Sequence, residues 1–132
     1  MKNESAIAAV CIIEDKDGDI LFLARSKSPL GLGLPGGKVD EQDEGNLLNT
    51  IVREVYEETA IDISNEDIIF VDMAMSFNDR KVGVFKVKIQ DKPNVILSKE
   101  HKFYTWININ NIANTEEYMA GNTNKFLAYN NG

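Results

Sequence analysis

Five chain-bending residues, Gly31, Gly33, Pro35, Gly36 and Gly37, fall within a short stretch that separates two apolar runs from a helix-patterned segment. Glycine and proline at that density predict a loop over residues 26–39 with no regular element in it. What lies on either side differs in period. Upstream, residues 6–13 and 20–24 are short apolar runs that read as strands, and Glu14-Asp15-Lys16-Asp17-Gly18-Asp19 between them carries an Asp-Gly pair, a hairpin signal that predicts antiparallel neighbours. That acidic turn lacks the pattern of a calcium loop, which needs Gly at position six and Glu at position twelve; counted from Asp15 those positions are Ile20 and Ser26. Downstream, Leu48, Val52, Val55 and Thr59 recur at helical spacing and predict a helix over about residues 44–59, with this face packed on a sheet. Further strands are expected over residues 68–77 and 82–89, joined through Asn78-Asp79-Arg80-Lys81, and over 103–107. Residues 108–115 read as irregular or weakly helical, and 123–129 as a short helix capped near Asn122. Strands and helices mixed in this order predict an α/β or α+β layered fold. With 132 residues and no internal repeat, residues 1–132 are expected to form one domain.

The chemistry concentrates on the predicted helix. Glu54, Glu57 and Glu58 stand at i, i+3 and i+4, so three carboxylates share a face distinct from the apolar one. Like charges at that spacing oppose a helix by roughly 0.2–0.5 kcal/mol per pair. A hard divalent cation would offset the repulsion, since carboxylate oxygens are what Mg²⁺ and Mn²⁺ prefer. The ordinary structural reading is an exposed acidic face on which Arg53 pairs with Glu57 at i+4. The glycine loop just upstream favours the metal reading, because Gly36 and Gly37 allow the backbone to approach a phosphate or a metal closely.

The charge balance narrows the partners. With 14 basic and 21 acidic residues the net charge is −7, which disfavours long nucleic acid. A small phosphorylated substrate is compatible, since a bound cation reverses the local field. A single cysteine, Cys11, excludes an intramolecular disulfide and fits a reducing compartment; its expected role is that of a small buried hydrophobe. The apolar run around it is far shorter than the roughly 18 residues a membrane span requires, and no cleavage-site pattern follows it. The expectation is a cytoplasmic protein with no membrane partner.

Gly36-Gly37-Lys38-Val39-Asp40 followed by Arg53-Glu54-Val55-Tyr56-Glu57-Glu58-Thr59-Ala60-Ile61 resembles the Nudix box, whose pattern is Gly-x5-Glu-x7-Arg-Glu-U-x-Glu-Glu-x-Gly-U with U aliphatic. The chain departs from it in several ways. Two additional residues separate Gly37 from Arg53, so the first acid of the box is Asp43 by strict count or Glu44 one later. Ala60 replaces the late glycine, and Asp40 stands where the family often has Glu. Leu32 replaces the aromatic that often precedes Leu-Pro-Gly-Gly.

The resemblance implies a Nudix-type α/β/α sandwich with a mixed central sheet. It further implies a MutT-like enzyme that uses Mg²⁺, with Mn²⁺ as a substitute, to hydrolyse the pyrophosphate bond of a nucleoside diphosphate derivative. A nucleoside triphosphate cleaved to monophosphate and pyrophosphate is the expected case. Glu57 and Glu58 are the main expected metal ligands, the Gly37 backbone a further one, and Glu54 a ligand or the general base. Glu100, six residues before Trp106, resembles an additional metal-binding or catalytic glutamate of MutT-type members and is the rival for the proton. Arg53 is expected to orient a carboxylate by a bidentate contact, and Arg25 and Lys38 to meet phosphates. Phe77, Asp79 and Arg80 resemble a base-contacting segment and Asn122 a base-reading position, although turn and cap roles compete for them. Dimers are common in the family. The rival from another class is a silent Nudix-fold module that binds nucleotide or ADP-ribose as a sensor, and a third reading is an acidic interaction domain without a ligand.

Overall fold

A computed structural model describes residues 6–27, 30–76 and 78–130. Strands β1 (Ala6–Glu14) and β2 (Asp19–Arg25) form the expected antiparallel pair, but their only register pair is Glu14↔Ile20, next to the turn. Beyond it they part, and the glycine-rich segment fills the fork. Two short strands lie within the stretch expected to hold no regular element: β3 (Leu32–Gly33) pairs with β2, and β4 (Gly36–Lys38) pairs with β1 through Val10↔Gly36, Ala9↔Gly37 and Ala8↔Lys38. Cys11 N–H donates to the Pro35 carbonyl at 2.8 Å between them. Glycine permits what it was expected to forbid, because a Cβ at Gly36 would overlap the Ala9 carbonyl.

The remaining elements are α1 (Leu47–Thr59), β5 (Ile68–Met75), β6 (Lys81–Lys88), β7 (His101–Asn108), a 3₁₀ segment over Ile109–Tyr118 and α2 (Thr123–Leu127). The seven strands form one sheet in the order β3-β2-β1-β6-β5, with β4 added on β1 and β7 on β2. β1 and β6 run parallel and the other pairs antiparallel, so the sheet is mixed.

Alternation along the strands builds a core on each face. Cys11, Ile13, Leu21 and Leu23 pack with Leu47, Ile51 and Val55 of α1. Ile12, Ile20, Phe22 and Ala24 face the other way, toward Phe126 of α2. That is the expected α/β/α sandwich with a mixed sheet. No helix among the described residues is long and apolar enough to cross a membrane.

Helix α1 corrects two expectations. It starts at Leu47 rather than near Glu44, because Glu44 and Gly45 both adopt positive φ (55° and 74°) and Asn46 caps the helix by accepting from Leu48 N–H at 2.9 Å. The two additional residues of the box are thus spent in a turn ahead of the helix. Its buried stripe is also rotated: Leu47, Ile51, Val55 and Glu58 face inward, while Leu48 is 42% exposed. Both stripes are apolar over their first three positions. The inward choice turns a glutamate into a buried residue.

Candidate functional site

The site forms where α1 crosses β4. Before the helix, a single 3₁₀ turn (Glu41–Asp43) is held by a capping box, with Gln42 N–H donating to Asp40 and Asp40 N–H donating to Asp43 Oδ2 at 2.8 Å. Asp43 is 1% exposed and completely satisfied. Arg53 grips it with two parallel bonds, Nε to Oδ1 and Nη2 to Oδ2, both 2.9 Å, and the Thr50 hydroxyl adds a third at 2.7 Å. These contacts hold the Asp43 carboxyl well below the usual carboxylate range, the Arg53 hydrogen bonds outweighing the effect of burial. Of the two acids that residue counting could not separate, Asp43 is the one that meets Arg53; Glu44 is exposed at the left-handed turn.

Arg53 gathers the rest. Its Nη1 donates to Glu54 and to Glu57, each at 3.2 Å, and its Nη2 to the Lys38 carbonyl at 3.0 Å. The i+4 pairing of the ordinary structural reading is therefore present, within a wider network that ties helix to loop. Glu54 lies over Gly37 so closely that any Cβ there would overlap its carboxylate. Glu58 is 7% exposed and accepts one bond, from Gly36 N–H at 2.9 Å. Burial pushes its carboxyl up to about 8, with Glu54 and Glu100 adding to the rise and the Gly36 N–H and Arg25 opposing it. Glu54 is raised as well, by burial first.

Glu100 comes from the segment that leads into β7. Ile96 N–H donates to the Thr59 carbonyl at 2.9 Å and Ser98 N–H to the Glu58 carbonyl at 3.2 Å, which fastens the preceding segment to the end of α1. Ser26 N–H then donates to the Glu100 carbonyl at 2.9 Å. The charge of Glu100 thereby reaches both Glu54 and Glu58. Four carboxylates share one region, and their oxygens are the donors a hard cation takes. Burial first, and repulsion by neighbouring glutamates second, raise Glu54 and Glu58; a cation would offset both, so the donor set fits one. As they stand, no three such acids among the described residues converge on a single point, and Glu57 is turned toward Arg53.

A cleft of about 230 Å³ opens beside Glu58 and Gly36, lined also by Arg25, His101, Asn122 and Phe126. It places Arg25 and Asn122 in the same cleft as Glu58. Asn122 makes no side-chain cap bond to α2. Asp79 and Arg80 instead form the β5–β6 turn, where the Ser76 hydroxyl accepts from Arg80 N–H at 3.1 Å, and neither lines the cleft. Lys38 contributes its carbonyl to Arg53 while its side chain is exposed. Phe77 lies outside the described residues. A larger groove of about 810 Å³ behind α1, between Leu48 and Ile69, includes none of Glu54, Glu57 and Glu58, so its size does not make it the site.

Sequence reasoning missed His101, whose signal was available: it is the chain's one histidine and follows Glu100 directly. Burial lowers its pKa, Glu100 opposing and Arg25 reinforcing that shift.

The NUDIX domain family model matches residues 4–129. No curated protein matches the chain. Among solved structures, a MutT protein from Methanosarcina mazei Go1 is 26% identical, with 94% of this chain and 91% of that one covered and a TM-score of 0.71. An Ap4A hydrolase of C. elegans is 23% identical over 84% of this chain and 86% of its own, at a TM-score of 0.68. The dihydroneopterin triphosphate pyrophosphohydrolase of E. coli is 17% identical over 92% of each, at 0.74. At those last two identities the likeness is one of fold.

Proposed function

Since the chain belongs to the Nudix family, we propose that it is a pyrophosphohydrolase that cleaves a nucleoside diphosphate derivative, a nucleoside triphosphate being the first candidate, with release of nucleoside monophosphate and pyrophosphate. The observation that carries this reading is the buried Glu58 carboxylate, held against Gly36 beside Glu54 and opening on a cleft lined by Arg25 and Asn122. Glu54, Glu57, Glu58 and the Gly37 carbonyl would hold Mg²⁺ or Mn²⁺, with Glu100 beside them. When bound, such a cation neutralises phosphate charge and makes a water molecule more acidic. Arg53 keeps Glu54 and Glu57 oriented while Asp43 holds Arg53 itself. Glu100 takes the proton of the attacking water on a carboxylate oxygen; its rival Glu54 is already engaged by Arg53. Arg25 binds a phosphoryl oxygen, and Asn122 contacts the nucleoside.

The test is a panel of nucleoside triphosphates, dinucleoside polyphosphates, ADP-ribose and nucleotide sugars incubated with Mg²⁺, with products identified by mass. One member of the panel should be cleaved at its pyrophosphate. Glu57→Gln should abolish that Mg²⁺-dependent turnover with the fold intact, and a variant of normal activity overturns the assignment. Thermal stabilisation by nucleotide without cleavage of any member would instead establish the binding module.

A further inference from the structure

The His101 side chain carries a buried polar atom that the fold leaves without a partner. The side chain lines the cleft with Arg25, Glu58 and Asn122, yet among the described residues it makes no hydrogen bond. Its Nδ1 is buried without a partner, which leaves Nε2 as the ring nitrogen reachable from the cleft. A histidine that serves packing normally has a ring nitrogen satisfied by the protein, because a stranded polar atom is costly to bury. A phenylalanine or leucine would line this wall without that cost. The neighbours say what the imidazole faces. In the β2–β7 ladder His101 is paired with Arg25 across a register shift, so both side chains reach the cleft from adjacent strands. The position follows Glu100 and feels the charges of both Glu100 and Arg25, at the carboxylate end of the cleft, where the phosphates of a substrate belong.

We propose that His101 is a substrate-contacting residue whose Nε2 hydrogen-bonds a phosphoryl oxygen of the nucleoside diphosphate derivative, forming with Arg25 one phosphate-gripping wall. This rests on the hydrolase reading above. The probes are the α,β-methylene analogue of adenosine triphosphate and inorganic pyrophosphate, each titrated calorimetrically with Mg²⁺ into wild type, His101→Phe and His101→Gln. Phe keeps the ring volume and removes the donor; Gln restores an N–H at similar reach. His101→Phe should weaken both probes by about tenfold, the loss expected for one hydrogen bond, and His101→Gln should recover most of it. On the best substrate of the panel, KM should rise by a similar factor in His101→Phe while kcat stays within about threefold. Unchanged binding of both probes in a folded His101→Phe overturns the proposal, as does a loss confined to the nucleotide analogue, which would make His101 a nucleoside contact. If Phe unfolds the chain, His101→Gln carries the test: binding that falls as far as in His101→Ala overturns the donor role. A wild type that binds both probes but cleaves no member of the panel removes the hydrolase reading and leaves the phosphate contact standing.

Discussion

Asp43 and Glu58 are both buried carboxylates beside the same helix, and their environments push them in opposite directions. Asp43 receives two bonds from Arg53, one from Thr50 and one from the Asp40 backbone, so its charged form is favoured and its pKa falls. Glu58 receives a single backbone N–H, faces two other carboxylates, and its pKa rises to about 8. A satisfied buried charge is what a fold uses to fasten a loop to a helix. One that burial leaves short of partners is a functional-site candidate, because a positively charged ligand would complete it. Scaffold and chemistry thus lie at the two ends of α1, Asp43 in the turn before it and Glu58 in its last turn.

The largest effect should come from breaking the Glu58 side. Glu58→Gln is expected to cut turnover by about a thousandfold or more, as loss of an electrostatic group in a catalytic site does, measured by steady-state release of product with Mg²⁺. In metal-free buffer the same variant should be more stable than wild type at neutral pH by about 1–3 kcal/mol, read as a higher Tm. An unchanged Tm would mean that Glu58 is not short of partners.

Next in size is the Asp43 side. Asp43→Ala leaves the partly buried Arg53 without its main partner and should cost roughly 3–5 kcal/mol of stability in denaturant unfolding, with activity lost through disorder of Glu54 and Glu57. A variant that unfolds at the wild-type midpoint would reduce the clamp to a surface pair.

The pH dependence separates the two carboxylates directly. Glu58 is deprotonated near pH 4.3 when unfolded but only near 8 when folded. Over that window the unfolded chain binds fewer protons, so the stability of the metal-free protein should fall as pH rises from about 4.3 to 8, and this slope should vanish in Glu58→Gln. Asp43 has the opposite sign. Its folded pKa is depressed, so its contribution is complete above the unfolded value near 3.9 and is lost on further acidification. Acid unfolding of Asp43→Asn should therefore be less steep below pH 4.

The smallest effect concerns the end of the same helix. Ala60 caps α1 with φ of 62°, a left-handed conformation that favours glycine. Ala60→Gly should stabilise the chain by about 0.5–1 kcal/mol with kcat unchanged. A loss of stability would show that the Ala60 methyl contributes packing that outweighs its strain.

Much of the architecture was legible in the chain. Residues 6–13 and 20–24 are apolar throughout and read as strands; in the structure Ile51 and Phe126 pack on opposite faces of them. The spacing of Glu54, Glu57 and Glu58 marked the candidate site, and Glu100 was added through its resemblance to a glutamate of MutT-type members. The stripe of α1 was misread because Leu48 and Leu47 are both leucines one position apart, and periodicity alone cannot choose between adjacent registers. His101 was passed over for a different reason: its place after Glu100 says nothing of its neighbours Arg25 and Glu58, which strand pairing and helix packing bring to it from 76 and 43 positions away in the chain.

By itself the sequence determined which residues could carry the chemistry and that a glycine-rich segment must lead into an acidic helix, because composition and local period are properties of the chain. Only the tertiary structure decided that the glycine-rich segment forms two short strands, one on β1 and one on β2, that Asp43 rather than Glu44 meets Arg53, and that Glu58 points inward. Those outcomes depend on which surfaces exclude water together, and burial sets whether a carboxylate is a fastened charge or one short of partners. Two acids of nearly the same intrinsic pKa, fifteen residues apart, became different chemical groups by that means alone.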